Sequence, residues 1–361
     1  MINFIFTCAN LRHCVEKPPF LWKDIVSHYC SGELDAIGQQ ISANRVLVIL
    51  EVGTSRVTLT SSFGLGGGEM IFRLGPAVIS RFIRKLRGSS QSILAEADDG
   101  EMYVVKFLNN LQGPNVLFNE AMGTELYQRA MLPVPRCRRL MLTAAFLDEN
   151  PSCYMDSPEG PVRPAAGLCF GSHFLEGKYN RVYELLPGNY YRRLTNIDDF
   201  WVAWLLDACA CHAENRQALF PSALRGAFYA VFIDHGHMFG GPSGETSPSF
   251  GVSRYLDPRL YGCSTAGLAR RLTSSALKLD VDSIWAKAMH LPDQWITETG
   301  LHQLSECLNL LSSRAIVECV VEGLLEWRPL AELPYGTERT IGHYLTRRGA
   351  FAASSGRYAV V

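Results

Sequence analysis

The sequence predicts an α+β fold with two lobes, a small β-rich N-terminal lobe followed by a larger helical C-terminal lobe. Three short strand-like runs lie within residues 81–107, whereas helical spacing of apolar residues dominates from about residue 198 onward. Strands grouped in one part of a chain and helices in another are typical of α+β proteins. We expect an N-terminal extension of unclear structure at 1–69, the β-rich lobe at 70–178 and the helical lobe at 179–361.

The composition argues against several classes of protein. The chain has 361 residues, of which 47% are apolar and 19% charged, as in an ordinary globular protein. A net charge of −1 gives no electrostatic reason to expect binding of nucleic acid or of an anionic membrane. No apolar run reaches the length of a membrane span, and the apolar start at 1–9 lacks the basic residues of a signal peptide. We therefore expect a cytoplasmic protein.

Eleven cysteines raise the question of disulfides or structural zinc. An odd number scattered over a chain of this size argues against a disulfide framework. Cys209 and Cys211 form the only close pair, with His212 beside them, and no second pair of ligands follows at zinc spacing. Reduced, buried thiols are the expectation.

The individual elements follow from periodicity and from turn residues. The predicted strands are 81–86, 91–97, 103–107 and 167–174. The predicted helices are 115–131, 200–211, 264–277, 281–289 and 301–327. Asp98-Asp99-Gly100 is a strong hairpin signal between the second and third strands.

Lys106 lies on the less apolar face of the third strand. Tyr103, Val105 and Phe107 share one face, and Val104 and Lys106 share the other. An ammonium group is costly there unless it meets an anion. The position favours either a lysine that grips the α- and β-phosphates of a nucleotide or a lysine on a solvated sheet face.

Two further features surround Lys106 in the sequence. Gly88-Ser89-Ser90 joins the first two strands, and such a turn either folds over phosphates through its N–H and O–H groups or is a plain hairpin connection. Glu120 lies early on the helix that follows the Lys106 strand, where a carboxylate could pair with the lysine. Glu125 is the competing acid on a different face of that helix.

Asp234 ends the apolar run Val231-Phe-Ile and lies two residues before Gly236. Kinase-type folds present a carboxylate to a phosphate-bound Mg²⁺ in this way. Any strand can end in Asp-x-Gly, so the interpretation depends on the other parts of such a site lying upstream.

The segment 211–220 leaves an apolar helix and precedes the Asp234 strand. Kinase chemistry needs here a carboxylate for the acceptor hydroxyl and an amide or acid for Mg²⁺. Glu214 is the only acid in the segment, Asn215 and Gln217 are the amides, and Arg216 could neutralise phosphate charge. A polar helix end without chemistry is the alternative.

Histidines offer a different chemistry at the same place. His235 and His237 share one face if the strand continues, and His173 or His212 could complete a transition-metal site. A metal-dependent hydrolase is therefore a third candidate.

Several motifs, in order along the chain, are similar to those of the HipA-like kinase family, specifically its short bacterial branch. They span about residues 78–245 and are Asp99-Gly100-Glu-Met-Tyr-Val-Val-Lys106-Phe, Gln112-Gly-Pro, Asn119-Glu120, Leu132-Pro-Val-Pro135, Gly167-Leu-Cys-Phe-Gly-Ser-His-Phe174, Arg216-Gln217-Ala-Leu-Phe220 and Phe232-Ile-Asp-His-Gly-His-Met-Phe-Gly-Gly-Pro242.

The resemblance implies a bilobal protein-kinase-like fold that binds ATP and Mg²⁺ and phosphorylates a serine or threonine of a protein substrate. Lys106 would hold phosphates, and Asp234 would hold Mg²⁺. The segment 167–178, with Phe174, would lead into the hinge that contacts adenine. Neither nucleic acid nor a membrane is an expected partner.

The chain departs from the family pattern at two positions of the catalytic segment. Glu214 stands where the family usually has Asp, and His212 stands where it usually has Asn. The extra methylene displaces the carboxylate by roughly an ångström, and misplacement on that scale can cost roughly 10²-fold in rate. The chain is thus expected to be a kinase, or else a weak pseudokinase that senses nucleotide or binds a partner.

Overall fold

The computed structural model describes residues 47–52, 55–60, 75–176, 179, 181–223, 226–244, 253–261 and 267–327. The chain divides into two compact units, residues 1–76 and residues 77–361. In the first unit, β1 (Leu47–Val52) and β2 (Ser55–Thr60) pair antiparallel. The rest of the predicted extension 1–69 lies outside the described residues.

The second unit begins with a β-rich part. Its elements are β3 (Ala77–Lys85), β4 (Ile93–Ala97), β5 (Met102–Lys106), α1 (Val116–Arg129), β6 (Cys137–Leu142), α2 (Ala144–Glu149), β7 (Met155–Ser157), β8 (Gly160–Val162) and β9 (Gly167–His173). Five of the strands close into a barrel in the order β3–β4–β5–β9–β6. The parallel pairing of β3 with β6, with Ala77 opposite Leu140, closes it.

The barrel interior is apolar, as the alternation in β5 predicts. Tyr103, Val105 and Phe107 are almost fully buried and belong to its core with Ile93 and Leu140. The inward face of β5 is therefore filled by these three side chains, and the opposite face carries Lys106 out of the barrel core.

The remainder of the second unit is mainly helical. Its elements are β10 (Val182–Tyr183), a 3₁₀ turn (Gly188–Arg193), α3 (Asp199–Cys209), β11 (Gln217–Pro221), β12 (Val231–Ile233), a 3₁₀ turn (Pro258–Tyr261), α4 (Leu268–Leu277), α5 (Val281–Ala288), a 3₁₀ turn (Asp293–Trp295), α6 (Glu298–Ser312) and α7 (Arg314–Trp327). Strands β10, β11 and β12 form a small antiparallel sheet.

Two sequence predictions differ from these elements. The single helix predicted at 301–327 is two helices, because the backbone of Ser313 is extended. Strand β11 lies in the predicted segment 211–220, which carried no strand signal; Gln217 and Leu219 pair there with Ile233 and Val231. The short strand forms through pairing with its neighbours rather than through its own pattern.

Helix α3 is the centre of the helical part. It is buried on every side from Phe200 to Cys209, and its Trp201 and Trp204 rings both pack against the ring of Tyr261. None of the seven described cysteines forms a disulfide, and no described helix has the length and apolarity needed to cross a membrane.

Helix α1 packs directly against the segment that follows β12. Gly123 allows the close approach, because a Cβ placed there would lie 2.5 Å from Cβ of His235 and 2.6 Å from the sulfur of Met238. The ring of Tyr127 also meets the His235 ring edge to face, with centroids 4.6 Å apart. This contact fixes the Asp234 segment against the helix that carries Glu120.

We expect Gly123→Ala to destabilise the protein by about 1–3 kcal/mol, the usual range for an overpacked core. At an open helical position the same change would stabilise by roughly 1 kcal/mol, so the sign of the effect reports on the packing. Equilibrium denaturation measures it, with Gln128→Ala on the exposed side of the same helix as the control. Stabilisation by Gly123→Ala would show that the helix does not pack as described.

Candidate active site

Lys106 is held between two carboxylates from distant parts of the chain. Its Nζ donates to Oε1 of Glu120 in α1 and, at 2.5 Å, to Oδ1 of Asp234 after β12. The side chains of Lys106 and Glu120 are 8% and 4% exposed, whereas that of Asp234 is 24% exposed. The triad is thus buried on the Glu120 side and open to solvent on the Asp234 side.

The Lys106 ammonium stabilises the charge of Asp234, whereas burial outweighs its effect on Glu120. Burial would lower the pKa of Lys106, but the charges of Asp234 and Glu120 outweigh it, and the pKa is raised. Burial would raise the pKa of Asp234, yet the Lys106 ammonium outweighs it and holds that pKa well below its usual range. For Glu120, burial dominates and the pKa is raised. Lys106 and Asp234 are therefore charged at neutral pH.

The backbone around Asp234 is shaped to present its carboxylate. Asp234 has φ 61°, a left-handed conformation that is uncommon for a residue other than glycine. Two residues on, the N–H of Gly236 donates to Oε1 of Glu120 at 2.7 Å. A Cβ at Gly236 would lie 3.1 Å from that oxygen, so a side chain there would crowd the triad. The second oxygen of Asp234 accepts from Nε2 of Gln217 at 2.8 Å.

Arg216 supports this backbone from inside the core. Its guanidinium makes a bidentate pair with Asp207 of α3, at 2.9 and 2.7 Å, and both side chains are essentially unexposed. It also donates to the carbonyl oxygens of Ile233 and Asp234, at 2.9 and 3.1 Å, and Tyr127 donates to Asp207. This differs from the predicted catalytic role, because a guanidinium enclosed in this way faces the protein rather than a bound phosphate.

Glu214 lies near the rim of the same region. Its side chain is 43% exposed, and Oε1 lies 3.4 Å from Nε2 of His237. Nε2 of Gln112 lies 2.9 Å from the same imidazole nitrogen and donates to Oγ of Ser89, also at 2.9 Å. The turn between β3 and β4 is thus linked through Gln112 to the histidine beside Glu214.

The remaining predicted site residues, Gly88, Ser90, Phe174 and Asn215, do not belong to the triad of Lys106, Glu120 and Asp234. Gly88 has φ 130° at an exposed turn, and the hydroxyls of Ser90 and Ser92 lie 3.0 Å apart. The N–H of Phe174 donates to the carbonyl oxygen of Met102 at the end of β9. Asn215 is exposed beside Glu214. Among the predicted residues, side-chain hydrogen bonds around Asp234 and Lys106 join Lys106, Glu120 and Gln217.

The second acid considered for Lys106, Glu125, lies elsewhere. It pairs with Arg129 at 2.7 Å, one turn along the exposed side of α1. Glu120 is the acid of this helix that meets the lysine.

The histidines do not converge into a metal site. His173 lies against the Tyr103 ring and 3.5 Å from Glu101, whereas the His235 ring packs on Tyr127. Within the described ranges no three His, Cys, Asp or Glu side chains are grouped to hold a metal ion. The geometry therefore gives no support to the transition-metal hydrolase.

The donor set around Asp234 fits Mg²⁺ bound together with phosphates. Mg²⁺ prefers oxygen ligands and is usually held by one or two carboxylates plus substrate oxygens and water. Asp234 supplies a partly exposed, ionised carboxylate, and Gln217 supplies a side-chain amide beside it. The Lys106 ammonium beside it suits phosphate oxygens.

Comparison with known proteins finds kinases as structural neighbours. The chain is similar to the proinflammatory kinase CtkA of Helicobacter pylori, with a TM-score of 0.42 and 11% identity over 69% of this chain and 97% of that one. It is also similar to the Golgi casein kinase with Mn/ADP bound, with a TM-score of 0.39 and 11% identity over 73% and 75% of the two chains. At these values the similarity carries no argument about function.

The sequence matches no protein-family model and no curated protein. The functional interpretation therefore depends on the geometry of the site itself.

Two residues that contribute to the site, Asp207 and Gln112, were not identified from the sequence. Asp207 is the only acid in the buried stretch 200–209 of helix α3, and an acid buried there needs a cationic partner, so its position was a usable signal. Gln112 gave none beyond its place in the motif Gln-Gly-Pro, because its partner His237 lies far away in the chain.

The pH dependence of folding stability tests the buried environment of His212. Nδ1 donates to the carbonyl oxygen of Glu214, and the buried Nε2 has no hydrogen-bond partner among the residues that the structure describes. Burial, with the nearby Arg216 charge, lowers the pKa of His212 to about 4. Because the unfolded chain then binds the proton more tightly, stability falls as pH drops below the unfolded value near 6.5.

We expect His212→Asn, which keeps a donor for the Glu214 carbonyl but does not titrate, to gain stability over the wild type as the pH falls. Between pH 7 and pH 5 the gain is about 2 kcal/mol, since one pKa unit corresponds to about 1.4 kcal/mol. Urea denaturation at both pH values measures it. A difference between the two proteins that is independent of pH would contradict a buried, neutral His212.

Proposed function

We propose that the protein is an ATP- and Mg²⁺-dependent kinase of the HipA-like type, which transfers a phosphoryl group to a serine or threonine hydroxyl of a protein substrate. The observation that carries the proposal is the buried ammonium of Lys106, held by Glu120 on a helix and by Asp234 after a later strand. Protein kinases require this arrangement of a strand lysine, a helix glutamate and a metal-binding aspartate.

The free-energy cost of burying the charges of Lys106, Glu120 and Asp234 supports a functional role for this triad. An ammonium and two carboxylates removed from water are rarely an advantage for stability over apolar residues of similar volume. Perturbed charged groups facing a solvent-accessible opening are typical of functional sites. The triad also joins β5, α1 and the segment after β12 in the order that the bilobal kinase fold requires.

Each residue has a defined role in this proposal. Lys106 holds the α- and β-phosphates, assisted by the turn Gly88-Ser89-Ser90, while Glu120 keeps the ammonium oriented. Asp234 and Gln217, with Asn215 nearby, hold Mg²⁺, which when bound neutralises charge on the transferring phosphoryl group. Glu214 accepts the proton of the acceptor hydroxyl.

Two predicted residues complete the assignment. Phe174 follows β9 and lies where the chain leaves the barrel, on the proposed adenine side. Arg216 acts indirectly, because it fixes the carbonyl oxygens of Ile233 and Asp234 rather than touching the nucleotide.

A second candidate is a nucleotide-binding module without efficient transfer. Glu214 favours it, because its longer side chain directs the carboxylate to within 3.4 Å of His237. A displaced proton acceptor lowers the rate without affecting the binding of nucleotide. The two candidates share the nucleotide site and differ at Glu214.

We expect ATP with Mg²⁺ to stabilise the protein, by about 2.7 kcal/mol at a ligand concentration of 100 Kd. Asp234→Asn keeps the shape of the side chain but removes the anion, so the stabilisation should be lost. Thermal unfolding with and without ligand measures this. Asp148→Asn, which changes an exposed acid paired with Arg163, is the matched control and should respond like the wild type.

No stabilisation of the wild type by millimolar ATP and Mg²⁺ would reject both candidates. An equal response of the wild type and Asp234→Asn would reject the proposed role of Asp234 while leaving nucleotide binding in place.

Transfer from labelled ATP separates the two candidates. If the protein is a kinase, Glu214→Gln should lower the transfer rate by about 10²–10⁴-fold, the usual contribution of a general base, and leave the affinity for ATP unchanged. Binding of ATP without transfer by the wild type would favour the nucleotide-binding module. Transfer by the wild type that Glu214→Gln leaves intact would contradict the role of Glu214.

A further inference from the structure

His237 lies between the segment that carries Glu214 and the turn that carries Ser89. It follows Asp234 by three residues, and its side chain is 12% exposed. One atom, Nε2, faces both neighbours, at 2.9 Å from Nε2 of Gln112 and at 3.4 Å from Oε1 of Glu214. Its backbone carbonyl accepts from the N–H of Ala213, so the main chains are joined as well.

The segment 110–112 extends this link to the turn. Nε2 of Gln112 donates to Oγ of Ser89 at 2.9 Å, and Nδ2 of Asn110 donates to the carbonyl oxygen of Ser90 at 3.0 Å. Both serines of the proposed phosphate turn are therefore held by this segment. Gln112 is the only one of these residues that also has a described contact with the imidazole of His237.

A single imidazole nitrogen cannot serve both neighbours equally. Nε2 carries either one lone pair or one proton, so it forms one strong in-plane hydrogen bond at a time. At 2.9 Å the amide of Gln112 is within hydrogen-bond range, whereas 3.4 Å to Glu214 exceeds a good hydrogen bond. In this arrangement the neutral imidazole accepts a hydrogen bond from Gln112, and the Glu214 carboxylate makes no good hydrogen bond to His237.

The charges around His237 favour the neutral ring. Burial lowers its pKa, Glu214 and Asp234 act to raise it, and Lys106 and Arg216 act to lower it, with a lowered pKa as the result. Neutral His237 is an acceptor at Nε2 when its proton is on Nδ1, which is the tautomer that the contact with Gln112 requires.

We propose that His237 is a positioning residue that couples the Ser89 turn to Glu214. Its imidazole fixes the turn through Gln112 and at the same time sets the space available to the Glu214 carboxylate. The connection to phosphoryl transfer rests on the proposed function, whereas the coupling itself is a property of the protein without nucleotide.

Hydrogen exchange of residues 86–92, without nucleotide, tests the coupling. The N–H groups of Leu86 and Gln91 are protected there by bonds to the carbonyl oxygens of Ser92 and Gly88. We expect exchange to be several-fold faster in His237→Leu, which fills similar space but has no polar atom. His237→Gln, which places a polar atom near the position of Nε2, should restore most of the protection.

A double-mutant comparison separates coupling from a general loss of packing. Gln112→Ala alone should speed up exchange in the same residues, and His237→Leu added to it should then have no further effect on them. Additive effects of the two changes, or unchanged exchange in both single variants, would overturn the proposal. Gln128→Ala on α1 is the control and should leave 86–92 unchanged.

Kinetics provide the second readout. His237→Leu should raise KM for ATP and lower kcat several-fold, and His237→Gln should recover both. Unchanged kcat and KM in His237→Leu would overturn the positioning role, whatever the exchange result. If the wild type neither binds ATP nor transfers phosphate, the proposed function fails, and the exchange experiment still decides whether His237 couples the two segments.

Discussion

The buried ammonium of Lys106 is the interaction on which the rest of the site depends. A charged group enclosed to this degree is stable only if carboxylates surround it, and they come from α1 and from the segment after β12. The barrel strand, the helix and the later segment must therefore assemble together. Removal of one partner would leave an uncompensated charge in the protein, which typically costs more than the pair contributes.

A second buried ion pair, Arg216 with Asp207, supports the backbone of the segment that brings Asp234 to Lys106. Arg216 and Asp207 are both enclosed, and the guanidinium also holds two carbonyl oxygens at the end of β12. This support lets Asp234 keep a left-handed backbone conformation, which unsupported residues rarely adopt. The partly exposed Asp234 carboxylate is thus presented from a firmly held backbone, as pre-organised binding of a cation and phosphates requires.

The sequence predicted the parts of the site that depend on local patterns. Alternation in β5 placed Lys106 opposite the barrel core, and an acid at the end of an apolar strand marked Asp234. The burial of Arg216 was not predicted, because it depends on Asp207 in another element and not on the sequence neighbours of Arg216. Strand β11 and the contact of His237 with Gln112 depend on pairings between distant segments, which local periodicity does not encode.

In the proposed nucleotide complex, Lys106 exchanges the Asp234 carboxylate for nucleotide phosphates when the ligand binds. A crystal structure with Mg²⁺ and a non-hydrolysable ATP analogue would show whether this exchange takes place. We expect Nζ of Lys106 to contact phosphate oxygens while retaining Glu120, with the Asp234 carboxylate turned to the metal ion. A nucleotide bound elsewhere, with Lys106 still between Glu120 and Asp234, would contradict the account.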